Sequence, residues 1–411
     1  MDRPGDRAAA WPLAAIVALG ILLRIVAALV LRQPLASDPL SYFTMARGLA
    51  EHGTLVDNFG QHAFYSAGYP LVLAPFFAVL GSGVAVALAV NMILAGLSIW
   101  LVHQLAITLS GNHLSGLLAA AVFALWFPAV WNATMIAKEN LSTPLLLAVA
   151  LGAVNIVRGH GPHHAVLAGV AWGAALVTGG SALLLCAGVG VALIVLWRDG
   201  GRFSVSFKAG LCFMGGALVV LAPWLVATDA MVGRPVLTTN APFNLYLGNN
   251  PAATGRFVSI ADTPLGHDWE GTRMRLGEVA NADRLETAAV GWIAANPGRA
   301  GALALKKLAL FWEPNIPDAA DFAASRAVAA LRLFEVAQFI VIMVAGGLAF
   351  ALPSIVRHDK WVIGATIAGF WLIHATAYVI TRYRDPVVPL LIVTGSIMVA
   401  GWWRKGVRDG G

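Results

Sequence analysis

Long apolar runs separated by short polar segments recur along most of the 411-residue chain. A run of about 20 apolar residues can cross the hydrocarbon core of a bilayer, and because lipid offers no partner to backbone polar groups, each crossing is expected to be helical. The pattern therefore predicts an all-α polytopic membrane protein, a bundle of about 10 transmembrane helices. The predicted spans are residues 11–31, 85–107, 114–131, 140–157, 164–178, 181–197, 207–228, 330–353, 361–381 and 386–403.

Composition agrees with this pattern, since 59% of the residues are hydrophobic and only 12% are charged. The net charge of +6 could indicate a nucleic-acid partner, but the basic residues are scattered among the ends of loops. That distribution is typical of membrane topology, in which Lys and Arg mark cytoplasmic loops. The rule places both termini in the cytoplasm, together with Arg3, Arg7, Arg158, Arg198, Arg202, Lys208, Arg357, Lys360, Arg404, Lys405 and Arg408.

The opposite, extracytoplasmic face then receives the loops 32–84, 132–139, 229–329 and 382–385. The apolar run 68–80 in the first of these is short for a crossing, and we predict a re-entrant or interfacial helix there. A full crossing at this point would move the later basic loops to the outside. We expect a protein with this topology to reside in the cell inner (plasma) membrane.

The chain divides into three regions on these grounds. Residues 1–228 form a transmembrane catalytic module that includes the first outer loop, residues 229–329 form a larger extracytoplasmic loop, and residues 330–411 form the C-terminal transmembrane helices. The larger loop has an ordinary soluble composition. Its pattern predicts a helix from Gly277 to Asn296, closed by Pro297, and a second amphipathic helix from Ala302 to Trp312 along the membrane surface.

Asp38 is the first candidate for chemistry, because it is the first acidic residue after the opening apolar run. Ser37-Asp38-Pro39 also resembles a helix start, with Asp38 as the N-cap and Pro39 at the first helical position. A capping role and a catalytic role are compatible, since a helix N-terminus favours the ionised carboxylate that a base needs.

Glu139 begins a predicted span on the same outer face as Asp38. A carboxylate at that depth is costly unless it is paired or functional, and a local ion pair with Lys138 is the alternative interpretation. Arg24, inside the first span, raises the same question: it needs a carboxylate, a phosphate or a wet cavity nearby, or it extends along the helix to the membrane surface.

A third group lies at the end of the predicted span 361–381. His374, Tyr378 and Thr381 are spaced to share one helix face, and Arg382 and Arg384 follow at the outer surface. A guanidinium fork matches the oxygens of a phosphate, although anchoring to lipid headgroups is equally compatible with either arginine alone. His374 alone is more often a packed residue than a catalyst.

The sequence contains no metal-binding Cys/His cluster, no phosphate-binding P-loop, no dinucleotide fingerprint and no nucleophile elbow. It indicates no certain cofactor. A divalent cation held by Asp38 and Glu139 remains open as an alternative, on weak grounds, because the two carboxylates are far apart in sequence.

Several loose motifs, in this order and with this sidedness, resemble the bacterial GT-C glycosyltransferases. They resemble in particular the family 39 type, which includes protein O-mannosyltransferases and the lipid A aminoarabinose transferase. The resemblance covers nearly the whole chain. Its motifs are Arg24, Asp38-Pro39-Leu40-Ser41-Tyr42, Ser66-Ala67-Gly68-Tyr69-Pro70, Glu139, Asn244-Leu245-Tyr246-Leu247-Gly248-Asn249-Asn250-Pro251, Trp292-Ile293-Ala294-Ala295-Asn296-Pro297 and Arg382-Tyr383-Arg384-Asp385-Pro386.

The resemblance implies transfer, with inversion, of a sugar from a polyprenyl-phosphate-linked donor to a lipid, glycan or protein acceptor at the extracytoplasmic face. Asp38 would be the essential carboxylate and base, and Glu139 would help to shape the site. The expected substrate-binding residues are Arg24, Tyr42, Tyr65, Tyr69, Lys138, His374, Tyr378, Arg382 and Arg384. The alternative from another class is a transporter or flippase for polyprenyl lipids or small molecules, although polar residues gathered at one face favour an enzyme.

Overall fold

The computed structural model describes residues 4–199, 201–353 and 355–409, so that Arg3 lies outside the described part, as do the side chains of Arg7, Lys405 and Arg408. Within the described ranges the chain forms 18 α-helices joined by turns and short 3-10 segments. They are α1 (Pro4–Leu31), α2 (Asp38–His52), α3 (Gly68–Leu80), α4 (Val84–Ser110), α5 (His113–Leu125), α6 (Phe127–Asn132), α7 (Glu139–Val157), α8 (Pro162–Thr178), α9 (Cys186–Arg198), α10 (Phe203–Val232), α11 (Asn240–Gly248), α12 (Trp269–Leu276), α13 (Glu278–Ala295), α14 (Pro297–Phe311), α15 (Ala319–Ala324), α16 (Arg326–Ala351), α17 (Arg357–Leu372) and α18 (Val388–Asp409).

Six helical segments among the described residues are long and apolar enough to cross a membrane. They contain α1, α4, α7, α9 with the 3-10 turn before it, α10 and α16. The four other predicted spans correspond to α5 with α6, α8, α17 and α18, which are shorter or less apolar. The chain is therefore a multi-pass membrane protein, and the predicted all-α class is confirmed.

The predicted span 114–131 is interrupted. Helix α5 ends at Leu125, Trp126 is extended with a ψ of 117°, and α6 restarts with Pro128 in its first turn. A proline inside a helix lacks a backbone donor and clashes with the carbonyl four residues earlier, so it is accommodated at a helix start instead.

The predicted span 361–381 is also shorter than expected. Helix α17 ends at Leu372, a 3-10 turn covers Ile373–Ala375, and the chain is non-helical up to Ile380. The large loop supplies the hydrogen bonds that a helix would have made: Gly255 O accepts from Val379 N at 3.0 Å, and Asn249 Nδ2 donates to Thr376 O at 2.7 Å. The prediction that His374, Tyr378 and Thr381 share one helix face is therefore wrong.

The close packing of α11 against the non-helical segment after α17 depends on a glycine in α11. A Cβ on Gly248 would lie 2.5 Å from the carbonyl carbon of Ala377, closer than real Cβ contacts allow. Only a glycine lets the two backbones meet there.

The polar loops segregate to two ends of the bundle. Loops predicted to be cytoplasmic contact one another, as in the ion pairs Arg158–Asp359 at 2.6 Å and His358–Asp199 at 2.7 Å. At the other end, which we call the site end, Glu278 accepts from the backbone N–H of His62 at 2.9 Å and so joins the larger loop to the first outer loop. Loops predicted to share a face of the membrane therefore lie together.

The larger loop has the two helices that its pattern predicts, α13 closed by Pro297 and α14 directly after it. Lys306 is exposed on α14, as expected for a surface helix. Lys307 is fully buried, and its ammonium donates to Asn249 Oδ1 at 3.1 Å and to Ala375 O at 3.2 Å. This lysine therefore ties α14 to the non-helical segment after α17.

Candidate active site

Arg382 joins the two carboxylates that the sequence singles out. Its Nη2 lies 2.5 Å from Asp38 Oδ2, and its Nε lies 3.4 Å from Glu139 Oε1. The three residues come from the start of α2, the start of α7 and the short segment before α18, which are widely separated in sequence. One positive charge between two carboxylates leaves the cluster with a net negative charge.

Partial burial strengthens the interactions between the charges of this cluster. The side chain of Glu139 is only 6% exposed, whereas those of Asp38 and Arg382 are 34% exposed. Burial alone lowers the pKa of the Arg382 guanidinium, but the charges of Glu139 and Asp38 outweigh this effect, so its pKa is raised above the ordinary value. Arg382 is therefore a permanent cation in this site.

Asp38 does not cap its own helix. Ser37 occupies the N-cap position with a φ of 54°, and no side-chain capping bond is present there. A positive φ in a non-glycine residue is strained, and such strain is often stored beside functional groups. The Asp38 carboxylate turns to Arg382 instead of to the α2 backbone, so the predicted N-cap role is wrong.

Glu139 also takes a different partner from the one considered from the sequence. Within the described residues its ion pair is with Arg382, and no ion pair joins it to Lys138. Lys138 lies near the turn before α9, where a Cβ on Gly179 would be 3.4 Å from its ammonium nitrogen.

Two neighbouring cavities meet at this cluster. The first, which we call the apolar cavity, has a volume of about 320 Å³ and includes Glu139, Leu183, Phe370 and Ile373 in its wall. The second, which we call the aromatic cavity, has a volume of about 690 Å³ and includes Asp38. Both volumes are in the usual range for ligand pockets. The residues common to both walls are Ser66, Lys138, Asn240, Asn244, Arg382 and Tyr383.

The wall of the apolar cavity combines apolar side chains with two cations. Leu183, in the wall of the apolar cavity, is 46% exposed. Lys138 and Arg382 are the two Lys or Arg side chains in that wall among the described residues. The apolar cavity can therefore take an apolar chain and place an anionic group beside two cations.

Most of the predicted aromatic and histidine residues surround these cavities. Tyr42 and Tyr65 line the aromatic cavity with their ring centroids 5.7 Å apart. Burial raises the pKa of Tyr65 to about 12, so its hydroxyl remains a hydrogen-bond donor at neutral pH. His374 lines the apolar cavity, and Tyr378 lines the aromatic cavity with its ring 6.0 Å from that of Tyr383.

Three other predicted binding residues lie outside both cavities: Tyr69, Arg384 and Arg24. Tyr69 is fully buried and donates to Asn91 Oδ1 at 2.5 Å. Arg384 is 2% exposed, donates to the carbonyl of Glu313 and lies 3.8 Å above the centre of the Phe339 ring. The paired arginines of the sequence therefore diverge, Arg382 towards the site and Arg384 into the bundle.

Arg24 lies behind the site rather than in it. Its guanidinium donates to the carbonyls of Gly20 and Ala124, both at 2.9 Å. It shares a small cavity of about 20 Å³ with Glu139 and Asp385.

Several residues in the site were missed by the sequence analysis. Asn240 and Asn244 belong to α11, and their side chains hydrogen-bond to each other. Asn244 and Tyr383 stand inside quoted motifs, so the motifs contained a signal that the choice of single residues did not use. The buried position of Lys307 has no comparable signal, because Lys306 and Lys307 are adjacent on an amphipathic helix.

No group of three or more His, Cys, Asp or Glu side chains among the described residues is arranged to hold a metal ion. A cation bound by both Asp38 and Glu139 would have to displace Arg382.

No family model matches the chain, and no curated protein matches its sequence. Solved structures do. The chain is similar to the oligosaccharyltransferase AglB from Archaeoglobus fulgidus, in complex with an inhibitory peptide and a dolichol-phosphate, with a TM-score of 0.55, 12% identity, and coverage of 98% of this chain and 51% of that one. The apo form of the A. fulgidus oligosaccharyltransferase matches with a TM-score of 0.55, 12% identity, and coverage of 94% and 50%. The chain thus spans about half the length of these proteins.

A third match is ArnT from Cupriavidus metallidurans bound to undecaprenyl phosphate, with a TM-score of 0.48, 14% identity, and coverage of 93% of this chain and 77% of that one. The oligosaccharyltransferase match covers nearly the whole of this chain. The chain is therefore a multi-pass membrane protein with the fold of the GT-C glycosyltransferases, the superfamily that its sequence motifs resemble.

Proposed function

We propose that this protein is an integral-membrane glycosyltransferase that moves a sugar from a polyprenyl-phosphate-linked donor to an acceptor outside the cytoplasm, with inversion. The observation that carries the proposal is Arg382, which binds Asp38 and Glu139 at the junction of the two cavities. The site belongs to the inner (plasma) membrane and faces the extracytoplasmic side, as the distribution of basic loops predicts.

The apolar cavity is assigned to the donor. Its apolar wall suits the prenyl chain, and Lys138 and Arg382 suit the phosphate. The A. fulgidus oligosaccharyltransferase, which has the same fold, was crystallised with a dolichol-phosphate, and this supports a lipid phosphate as a ligand. The aromatic cavity, which contains Asp38, is assigned to the acceptor.

The chemistry is one displacement. The acceptor oxygen forms a bond to the anomeric carbon as the bond from that carbon to the phosphate oxygen breaks, and attack from the opposite face inverts the centre. Asp38 takes the proton of the acceptor hydroxyl. The electron pair leaves with polyprenyl phosphate, whose charge Lys138 and Arg382 stabilise.

Arg382 links donor binding to the activation of Asp38. An arginine beside a carboxylate favours its ionised form and makes it a weaker base. A phosphate competes for the same guanidinium through two parallel hydrogen bonds. Donor binding therefore draws Arg382 away from Asp38 and leaves the carboxylate ready to accept a proton, while Glu139 keeps the guanidinium nearby.

The test uses purified protein in nanodiscs, a panel of radiolabelled polyprenyl-phosphoryl sugars, and lipid, glycan and peptide acceptors. We expect the wild-type protein to release free polyprenyl phosphate from at least one donor. Asp38→Asn should lower that rate by about 10²–10⁴-fold, the usual contribution of a general base, while keeping donor affinity. Asp283→Asn is the matched control, because Asp283 forms an exposed ion pair with Arg234 away from the two cavities. No release from any donor, or equal rates for the two variants, would contradict the proposal.

A further inference from the structure

A continuous row of aromatic rings leads from the rim of the aromatic cavity to Asp38. The ring centroids of Trp269 and Phe243 are 5.4 Å apart, those of Phe243 and Phe64 are 5.5 Å apart, and those of Phe64 and Tyr65 are 5.4 Å apart. Tyr65 lies in the same wall as Asp38. The four rings come from α12, α11 and the first outer loop, so separate segments build one surface.

The charged residues beside the outer rings of this row are paired with each other. Glu270 and Arg273 form an ion pair at 2.7 Å, and Arg273 also lies 4.7 Å over the ring of Phe59. Arg273 is therefore already bound by a carboxylate and a ring at the rim. The side-chain amides of Asn240 and Asn244 offer both donors and acceptors near the cluster.

These features select among the classes of acceptor. An anionic acceptor at the outer end of the row would have to displace Glu270 from Arg273. The other cations of the wall, Lys138 and Arg382, are assigned to the donor phosphate. A peptide that binds by strand addition needs an exposed sheet edge. Among the described residues the structure contains no such edge, since its β-pairing is one isolated bridge between Arg256 and Val379.

A neutral saccharide fits the aromatic row and the amides beside it. A sugar ring has an apolar C–H face, which packs on an aromatic ring, and hydroxyls around its edge, which pair with amides. From the row and the ion pair beside it we propose that the acceptor is an uncharged saccharide, whose rings stack between Trp269 and Tyr65 and whose terminal hydroxyl reaches Asp38. This inference rests on the proposed transferase function for the role of Asp38, but saccharide binding itself can be measured without it.

The experiment measures equilibrium binding of neutral oligosaccharides to the purified full-length protein in nanodiscs, without donor. The probes are maltotriose, mannotriose, galactotriose and arabinotriose, and the readout is saturation-transfer NMR with a calorimetric Kd for the best ligand. We expect at least one to bind, and Trp269→Ala to weaken it roughly tenfold, the scale of one lost aromatic contact. Trp269→Tyr should retain most of the affinity, which distinguishes a lost ring face from a misfolded loop.

Trp292→Ala is the matched control, since Trp292 is a half-buried tryptophan on α13 of the same loop, packed under Arg299 and outside both cavities. It should bind like the wild-type protein. No binding of any of the four probes, or the same affinity for Trp269→Ala as for Trp292→Ala, would overturn the inference. Binding that depends on Trp269, without donor turnover, would support the saccharide site and contradict the transferase, so the two failures are distinguishable.

Discussion

Arg382 makes two different contacts with two different atoms, and this geometry depends on the guanidinium group. One terminal nitrogen reaches Asp38 and the Nε reaches Glu139, so the side chain spans the gap between α2 and α7. A lysine would supply the same charge at a single point and cannot span both carboxylates. At this position the shape of the cation matters as much as its charge.

Arg382→Lys is therefore expected to lower the rate of sugar transfer by roughly 10²–10³-fold, the scale of losing one positioned group that stabilises the leaving phosphate. The measurement is single-turnover release of polyprenyl phosphate. Arg256→Lys is the control, because Arg256 pairs with Glu313 and both side chains are about half exposed. Exposed ion pairs contribute little to stability, so Arg256→Lys should transfer sugar at nearly the wild-type rate. A rate for Arg382→Lys close to that of the control would show that Arg382 provides charge alone.

At the scale of secondary-structure elements, the segment between α17 and α18 is shaped by the larger loop. Its backbone pairs with Gly255 and Asn249, and the ammonium of Lys307 binds Ala375 O from α14. Together these contacts hold Tyr378 and Arg382 at the cavities without a helix beneath them. The stability of this arrangement should depend on the protonation of Lys307.

Burial lowers the pKa of Lys307 to about 8 from its ordinary value near 10.5. Between these values the unfolded chain binds more protons than the folded one, so the contribution of Lys307 to stability rises with pH from about 8 to 10.5 and is flat below 8. We expect the thermal midpoint of the wild-type protein to rise over this window relative to Lys307→Met. Lys306→Met, at the exposed neighbouring position, should follow the wild-type profile. Parallel profiles for the wild type and Lys307→Met would contradict the assignment.

A local pattern in the sequence is sufficient where no distant contact intervenes. Apolar length predicts the six membrane-length segments among the described residues, and Pro297 and the amphipathic pattern predict α13 and α14. The predictions are wrong where contacts distant in sequence override local preference. The helical spacing of His374 and Tyr378 was reasonable, but hydrogen bonds from the larger loop end α17 before either residue.

The contrast between local patterns and distant contacts also explains which of the predicted site residues lie together. Asp38, Glu139 and Arg382 were chosen because charged residues beside a membrane need a reason, and they lie together. Arg384 satisfied the same rule, yet its side chain packs on Phe339 inside the bundle. Sequence spacing cannot decide which of two nearby arginines faces a cavity, because the turn Thr381–Arg384 sets their directions.

For the whole molecule, the account depends on both cavities belonging to one side of the membrane. The ion pairs Arg158–Asp359 and His358–Asp199 hold loops together at the end opposite to Asp38. The distribution of Lys and Arg assigns that end to the cytoplasm.

Cysteine labelling in intact cells checks this orientation. Ala261 is exposed in the larger loop, and His163 is exposed in the first turn of α8. In a background without Cys186 and Cys212, Ala261→Cys should react with a membrane-impermeant maleimide, and His163→Cys should react only after permeabilisation. The reverse pattern would place the site in the cytoplasm and exclude the proposed topology.

The most direct measurement for the central claim is a cryo-EM structure of the protein with polyprenyl phosphate in a nanodisc. The account predicts a phosphate within about 3 Å of Lys138 Nζ and of the Arg382 guanidinium, hydrogen-bond distance for charged groups, with the prenyl chain in the apolar cavity. It also predicts a longer distance between Arg382 and Asp38 than the 2.5 Å seen without donor. A phosphate bound elsewhere, or one bound beside an unchanged Arg382–Asp38 pair, would contradict it.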